Sequence, residues 1–343
     1  MPKNDRLIKA CRQEPLDRPP VWLMRQAGRY MSEYRAVRAQ VPFLELCKTP
    51  KLAAEVTLQP YQHFGMDGVV IFSDILIPIE AMGMGLELSE KGPVLHDPIR
   101  NETRLNEIRV ADPYKDTPFV LEVIQEVKKL INDEVPVIGF AGAPWTMASY
   151  MVEGGTTKNF IELKRLRYAQ PHLLHTLLDK ITETVSKYLV AQLEVGADLV
   201  QLFDTWAGEL SRDDYRVFAL PYLQRIVKHI RSASDKPIVL YTNGCAAILE
   251  DMIETGVDCL SIDWRIDLAE AKRRVAGRTA IQGNIDPCAL LSPPNELTAL
   301  VQANIAKFGG DPGLIVNLGH GILPPTPPES VRVFVDAVKN YRA

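Results

Sequence analysis

The sequence predicts an α/β fold, a single (β/α)8 TIM-type barrel, and three observations favour it. Eight short runs rich in valine, isoleucine and leucine are apolar without alternation, which is typical of parallel strands buried on both faces. Segments with helical spacing separate these runs. Several segments end at a glycine that directly precedes the next run, and glycine just past a helix is a frequent stop signal. Strands and helices that alternate in this way are the pattern of a barrel.

The predicted strands follow one another along the whole chain. They comprise residues 20–24, 68–72, 135–140, 197–203, 237–242, 259–263, 279–284 and 313–319. The clearest helices comprise residues 44–65, 171–195, 214–232 and 295–308. The alternative is an open doubly wound sheet, but no GxGxxG fingerprint follows the first run. The length of 343 residues would also suit two domains, yet α/β barrels often reach this size, so we expect one domain over residues 1–343.

The predicted strands are unevenly spaced. Strands four to eight follow each other closely, whereas long insertions follow strands one, two and three. In a barrel these insertions would stand over the carboxyl ends of the strands, where active sites are built. We therefore expect the three insertions to supply much of the pocket.

Composition restricts the class of protein. The chain is 46% hydrophobic and 24% charged with a net charge of −4, which is typical of globular domains and argues against a general nucleic-acid surface. No run approaches the ~20 apolar residues of a membrane span, and the amino terminus lacks an apolar signal core, so we expect a cytoplasmic protein. The five cysteines form no CxxC pair and no HxC or HExxH spacing occurs, so we expect neither a disulfide framework nor a metal site.

Polar side chains follow the predicted strands at the end where a barrel carries its active site. The candidates are Arg25, Arg29, Asp74, Tyr150, Asp204, Thr205, Asn284, Asp286 and His320. The two arginines indicate a pocket for an anion, because guanidinium groups stay charged and grip carboxylates through paired hydrogen bonds.

Each main candidate has a structural alternative. Arg25 and Arg29 are four residues apart and could be solvated on one helix. Asp74 could cap a helix, Tyr150 could belong to the core, and His320 could be structural between its two glycines. No nucleophile–base pair, phosphate loop or cofactor signature accompanies them. The residues alone therefore predict an anion-binding barrel, which we interpret as an enzyme.

Six motifs in a fixed order carry a family resemblance that extends from about residue 20 to 325. They are MRQAGRYM, FSDIL, GFAGAPWT, SYMVEGG, QGNIDPCAL and NLGHG. In these motifs the chain resembles the uroporphyrinogen decarboxylase family. The resemblance implies a single barrel that forms a homodimer, uses no cofactor and acts on a small-molecule substrate. The implied reaction converts the four acetate side chains of uroporphyrinogen III to methyl groups, giving coproporphyrinogen III in tetrapyrrole biosynthesis.

The resemblance also implies roles for particular residues. It places Asp74 and Arg25 in catalysis and gives Arg38 a position near the substrate's rim. Thr205 stands where some members of the family carry serine. The implied contacts to the substrate are made by Arg25, Arg29, Asp74, Tyr150, Thr205 and His320.

Two other functions remain open at this stage. Relatives of the family include methyltransferases with a zinc site of histidine and cysteine ligands, a spacing that is missing here. A tetrapyrrole carrier that binds without reacting is the other alternative, and in it Asp74 would only cap a helix.

Overall fold

The structure is a computed structural model that describes residues 2–89 and 92–342, and its main sheet is parallel and curled. Its order is β1-β4-β5-β6-β7-β8-β9, and β2 and β3 form a separate antiparallel hairpin. The strands are β1 Val69–Val70, β2 Leu86–Ser89, β3 Gly92–Leu95, β4 Val137–Gly142, β5 Leu199–Asp204, β6 Ile238–Thr242, β7 Cys259–Ser261, β8 Ala280–Ile285 and β9 Leu314–Leu318. Seven of the eight predicted runs are therefore strands of one sheet, and the predicted fold class is confirmed.

The first predicted strand, residues 20–24, forms one parallel bridge instead of a full strand, between Val21 and Val316. The Val316 N–H donates to the Pro20 carbonyl at 2.9 Å, and the Asp67 N–H donates to the Val21 carbonyl at 2.8 Å. The segment thus lies between β9 and the residues that lead into β1, where an eighth strand would be. Pro20 has no N–H to donate, which reduces the number of backbone hydrogen bonds between this segment and β9.

Helices connect the strands along the outside of the sheet. The α-helices of the described residues are α1 Arg6–Cys11, α2 Ser32–Arg38, α3 Phe43–Lys48, α4 Pro50–Phe64, α5 Ile77–Ala81, α6 Glu102–Glu107, α7 Pro113–Asp116, α8 Pro118–Ile131, α9 Pro144–Glu153, α10 Ile161–Ala169, α11 Pro171–Glu194, α12 Arg212–Phe218, α13 Leu220–Ala233, α14 Leu249–Ile253, α15 Leu268–Val275, α16 Pro294–Ala306 and α17 Pro328–Lys339. Short 3-10 turns comprise Ala207–Glu209, Cys245–Ala247 and Pro287–Leu291.

Two of the predicted helices are divided by prolines. The segment 44–65 forms α3 and α4, and Pro50 is the first residue of α4. The segment 214–232 lies in α12 and α13, with Pro221 in the first turn of α13. Proline suits a first turn, where its missing N–H would have no helical partner. The segment 171–195, by contrast, forms the single helix α11.

The glycine that was expected to end a helix before β1 does so. Gly65 follows α4 in the left-handed conformation, with φ 64°, and its N–H donates to the Tyr61 carbonyl at 2.8 Å. Only glycine adopts this conformation without strain. The chain then enters β1 within a few residues.

The longest connections follow the first three strand positions. Helices α2 to α4 follow residues 20–24; α5, the β2–β3 hairpin and α6 to α8 follow β1; and α9 to α11 follow β4. At most two α-helices separate each later pair of strands.

The interior of the barrel is filled at the amino-terminal end of the strands. Leu7, Ala10 and Cys11 of α1 pack in one apolar cluster with strand residues such as Val239 and Ile315. A larger cluster lies between the sheet and the surrounding helices. Helix α1 therefore covers one end of the barrel, and the carboxyl ends of the strands remain for a site.

A polar layer crosses the inside of the barrel between α1 and the carboxyl ends. The Trp22 indole Nε1 donates to Gln282 Oε1 at 2.8 Å. Gln282 Nε2 donates in turn to Ser261 Oγ at 2.8 Å and to Gln201 Oε1 at 3.1 Å. All four side chains are buried, and these hydrogen bonds replace part of the solvation they lose, since Gln201 Nε2 has no partner among the described residues.

Candidate active site

A cavity of about 360 Å³ opens at the carboxyl ends of the strands. Its walls come from the loop after residues 20–24, the loop after β1, the strands β4 and β5, and the loop after β9. This volume is in the range of small-molecule sites. Five of the six predicted contact residues line it, namely Arg25, Arg29, Asp74, Thr205 and His320.

Arg25 is held in the cavity by an unusual backbone conformation. Its φ is 60°, in the left-handed region that a non-glycine residue rarely adopts. Its side chain crosses the face of Gly321, where an added Cβ would lie only 2.3 Å from Arg25 Cδ. The second glycine of NLGHG is therefore needed to admit the Arg25 side chain.

The guanidinium groups of Arg25 and Arg29 are both exposed to the cavity. Within residues 2–89 and 92–342 neither group has an ion-pair partner or donates a side-chain hydrogen bond. The alternative in which the two arginines share one helix is wrong, because both precede α2. Two free guanidinium groups at one opening favour an anionic ligand.

Asp74 lies in the loop between β1 and α5. Its Oδ1 accepts a hydrogen bond from the Leu76 N–H at 2.8 Å, which orders the turn that leads into α5. Burial raises the pKa of the Asp74 carboxyl above its ordinary value, while the Leu76 N–H and the positive charge of Arg25 act in the opposite direction. The carboxylate thus has a local structural bond and also faces the cavity.

His320 is neutral at physiological pH. Burial lowers its pKa to about 4, and the positive charges of Arg25 and Arg265 add to this effect, while Asp263 opposes it. Its Nδ1 accepts a hydrogen bond from the Gly321 N–H at 2.7 Å, so the ring proton belongs on Nε2. The imidazole edge meets the Tyr241 ring at 6.0 Å between centroids. His320 therefore offers a fixed N–H donor.

Thr205 follows a buried network at the end of β5. Thr146 Oγ1 donates to Asp204 Oδ1 at 2.8 Å and accepts from the Trp206 N–H at 3.1 Å. Asp204 is fully buried, and this burial raises its pKa to about 7. The network holds the backbone on both sides of Thr205 while the threonine itself lines the cavity.

Tyr150 does not line the cavity. It lies on α9, and its ring is 6.4 Å from that of Trp206. Burial raises the pKa of its phenol, and the nearby charges of Asp74 and Arg25 act on that pKa in opposite directions. Tyr150 is thus close to the site but is not one of its lining residues.

Other candidates from the sequence lie away from the cavity. Asn284 and Asp286 border a separate small depression, where Asp286 accepts from the Cys288 N–H at 2.9 Å and caps a 3-10 turn. The Arg38 guanidinium donates to the Val41 carbonyl and lies over the Phe43 ring at 5.7 Å. Phe43 itself lines the cavity, so Arg38 is near its rim.

The sequence reasoning missed the aromatic wall of the cavity. Phe72, Phe140 and Phe203 line it, each at or near the end of a strand. Their signal was present in the motifs FSD, GFAG and LFDT, in which a phenylalanine stands at or beside the predicted strand end. An apolar wall below free guanidinium groups suits a ligand with an apolar body and anionic arms.

Two further observations concern the described residues as a whole. None of their helices has the length and apolar character to span a membrane. They also contain no group of three or more histidine, cysteine, aspartate or glutamate side chains placed to hold a metal ion.

Comparison with known proteins connects this geometry to a family. A family model described as Uroporphyrinogen decarboxylase (URO-D) matches residues 2–341. A uroporphyrinogen decarboxylase from Myxococcus xanthus is 48% identical over 338 residues, which cover 98% of this chain and 97% of the relative. One from Alkalilimnicola ehrlichii is 45% identical over 98% of this chain and 93% of the relative. Among solved structures, a methyltransferase from Methanosarcina mazei has a TM-score of 0.84 at 25% identity, over 99% of this chain and 98% of that one.

Proposed function

This chain belongs to the uroporphyrinogen decarboxylase family, and on that premise we propose how its cavity decarboxylates uroporphyrinogen in tetrapyrrole biosynthesis. The reaction removes CO2 from each of the four acetate arms and leaves methyl groups, giving coproporphyrinogen III. Each step takes up one proton, because the electrons left by CO2 form a new C–H bond. No added cofactor is expected.

One observation carries this assignment of the cavity: two guanidinium groups that have no partner among the described residues face the same opening as the partly buried carboxylate of Asp74. The substrate is a ring of four pyrroles with eight carboxylate arms. Each charge-assisted hydrogen bond from Arg25 or Arg29 to such an arm contributes on the order of 1.5–3 kcal/mol. The phenylalanine wall would receive the apolar ring body.

Asp74 is proposed to accept hydrogen bonds from the pyrrole N–H groups. Protonation of a ring carbon makes the pyrrole a cation, which then receives the electrons released with CO2. A carboxylate beside the N–H edge stabilises that cation more than the neutral ground state, and such a difference lowers the barrier. Arg25 lies close enough for its charge to favour the ionised carboxylate.

The remaining residues are proposed to orient the macrocycle. Arg25, or a water molecule that it orients, is the candidate proton donor. The Nε2–H of neutral His320 would donate to a substrate carboxylate, and Thr205 would add a minor polar contact. Tyr150 does not line the cavity, so its contact with the substrate requires a local rearrangement when the substrate binds.

We also propose that residues 1–343 form one barrel domain and that two copies associate as a homodimer in the cytoplasm. The support for the dimer is the family resemblance. Sedimentation of the purified protein at micromolar concentration would test it, with a monomer at all concentrations as the contrary result.

The reaction is tested by anaerobic incubation of the metal-free protein with uroporphyrinogen, followed by chromatography of the products by carboxylate number. Stepwise appearance of seven-, six-, five- and four-carboxylate species is the expected result. Substrate binding without loss of carboxylates would contradict the reaction and favour the carrier.

A methyltransferase is the second candidate, because the solved structure with the TM-score of 0.84 carries that name. The residues of this chain that the structure describes contain no group suited to hold the zinc ion of that chemistry. Elemental analysis of purified protein discriminates the two: one zinc per chain would favour the methyltransferase.

A further inference from the structure

A third arginine, Arg265, lies in the loop between β7 and α15, at the same end of the barrel as the cavity although it is not among the residues that line it. This loop packs against the one that carries His320, since a Cβ added at Gly319 would lie 2.7 Å from the Trp264 backbone nitrogen. The charge of Arg265 reaches His320 and Tyr241, as does that of Arg25. Two guanidinium groups from different loops therefore act on the same imidazole.

Hydrogen bonds to two neighbouring side chains fix one end of the Arg265 guanidinium. Its Nη1 donates to Asn243 Oδ1 at 3.0 Å and to Asp263. Asp263 is fully buried and also accepts from the Gly244 N–H at 2.8 Å, so its position is fixed. The guanidinium also lies 4.4 Å from the centre of the Trp264 ring.

The rest of the guanidinium is free to bind. Among the described residues, Nε and Nη2 of Arg265 donate to no protein acceptor, and the side chain is 49% exposed. One nitrogen is thus anchored and the other two are presented to solvent. A planar fork held in this way loses little freedom when it grips a carboxylate.

We propose that Arg265 is a further substrate-binding residue, which contacts a carboxylate arm of the porphyrinogen on a different side of the mouth from Arg29. This rests on the function proposed above. A ring with carboxylate arms around its whole circumference needs cationic groups on more than one side. Arg25 and Arg29 come from the loop before α2, and Arg265 adds a contact after β7.

The test is the steady-state kinetics of Arg265→Gln with uroporphyrinogen. Loss of one charge-assisted contact is expected to raise KM about tenfold while kcat changes little. Partly decarboxylated species should also leave the site earlier and form a larger share of the products. An unchanged KM, or a lower kcat at unchanged KM, would overturn the proposal, because a structural role acting through His320 would affect the chemical step.

Two further variants separate the loss of a substrate contact from loss of folding and from loss of charge alone. Arg265→Lys keeps a charge beside buried Asp263 and loses the planar fork, so it should fold and show a smaller rise in KM; an unchanged KM would again count against the contact. Arg273→Gln also removes one positive charge, but at an exposed residue of α15 that pairs with Glu270 at 2.7 Å. This variant should leave KM unchanged. Turnover by the unmodified protein in the same assay tests the proposed function separately.

Discussion

The Asp74 carboxylate has two tasks that a single substitution separates. In Asp74→Asn the amide oxygen still accepts from the Leu76 N–H, so the turn before α5 is retained. The neutral amide no longer stabilises a pyrrole cation, and turnover should fall by about 10²–10³-fold, as when a preorganised hydrogen-bond donor is lost. The measurement is kcat, with Asp286→Asn as a control because Asp286 caps a turn outside the cavity. Near-normal turnover in Asp74→Asn would refute its catalytic role.

Arg29 offers a test of paired hydrogen bonding. Arg29→Lys keeps the positive charge in the cavity and removes the planar fork that holds a carboxylate through two bonds. We expect KM for uroporphyrinogen to rise several-fold while the melting temperature is unchanged, because the guanidinium is exposed and makes no ion pair within the described part of the chain. An unchanged KM would show that charge alone suffices.

His320 gives the stability a defined dependence on pH. The folded chain protonates it only near pH 4, whereas the unfolded chain does so near 6.5, so the unfolded state binds more protons between these values. The free energy of unfolding therefore falls as the pH drops through this window. In His320→Asn, where the amide oxygen can replace Nδ1 as acceptor, the loss between pH 7 and pH 5 should be smaller by about 2 kcal/mol.

Urea unfolding at pH 7 and pH 5 measures this difference. Asp204 titrates in the opposite sense, since its pKa is raised to about 7, but it is common to both proteins and cancels in the comparison. Equal losses of stability in the two proteins would mean that His320 is not buried as described.

The sequence could place most of the site because strand ends are recognisable. Arg25, Asp74 and His320 follow apolar runs directly, so a barrel brings them to one opening whatever the details of packing. Tyr150 was harder to place, because it lies on α9 and a helical residue's direction depends on how its helix packs. Partners such as Gly321 below Arg25 depend on distances between distant loops, which the sequence does not contain.

At the scale of elements, the end of β5 depends on a single hydroxyl. Thr146→Val removes the donor to Asp204 and the acceptor for the Trp206 N–H while keeping the shape of the side chain. Leaving these buried groups unpaired should lower the free energy of unfolding by about 1–3 kcal/mol. Thr298→Val on α16 is the control, because Thr298 is only partly buried and its hydroxyl donates to the Pro294 carbonyl of its own helix. Equal effects of the two substitutions, measured by chemical unfolding, would contradict the role of the network.

The elements themselves were predictable to different degrees for physical reasons. Strands buried on both faces are continuous apolar runs, and seven such runs are indeed strands. The run at 20–24 has the same composition, but Pro20 has no N–H to donate and the Met24 N–H donates to Asn317 Oδ1 instead of a strand carbonyl, so only one bridge forms. The divisions at Pro50 and Pro221 escaped the periodicity argument, since apolar spacing continues across both breaks.

At the scale of the whole molecule, the sheet and the loops contribute different parts of the site. The sheet fixes the positions of the strand ends. The loops after residues 20–24, β1 and β9 carry the arginines, the aspartate and the histidine of the cavity. The polar layer of Trp22, Gln282, Ser261 and Gln201 lies inside the barrel, and its Trp22 also lines the cavity. Hydrogen bonds connect these four side chains, which holds the inner end of the cavity in one arrangement.

Helix α1 fills the amino-terminal end of the barrel, so the cavity opens at the carboxyl ends of the strands. The macrocycle therefore enters and leaves at that end of the barrel. Asp74 lies at one place in this cavity, whereas four acetate arms are distributed around the ring of the substrate. Each round must therefore present a different acetate arm to the same side chains, which requires the ring to change its orientation between rounds. Strong binding of the carboxylate arms favours one decarboxylation but slows the reorientation that the next one needs. The arginines should therefore bind the arms weakly enough for the ring to reorient.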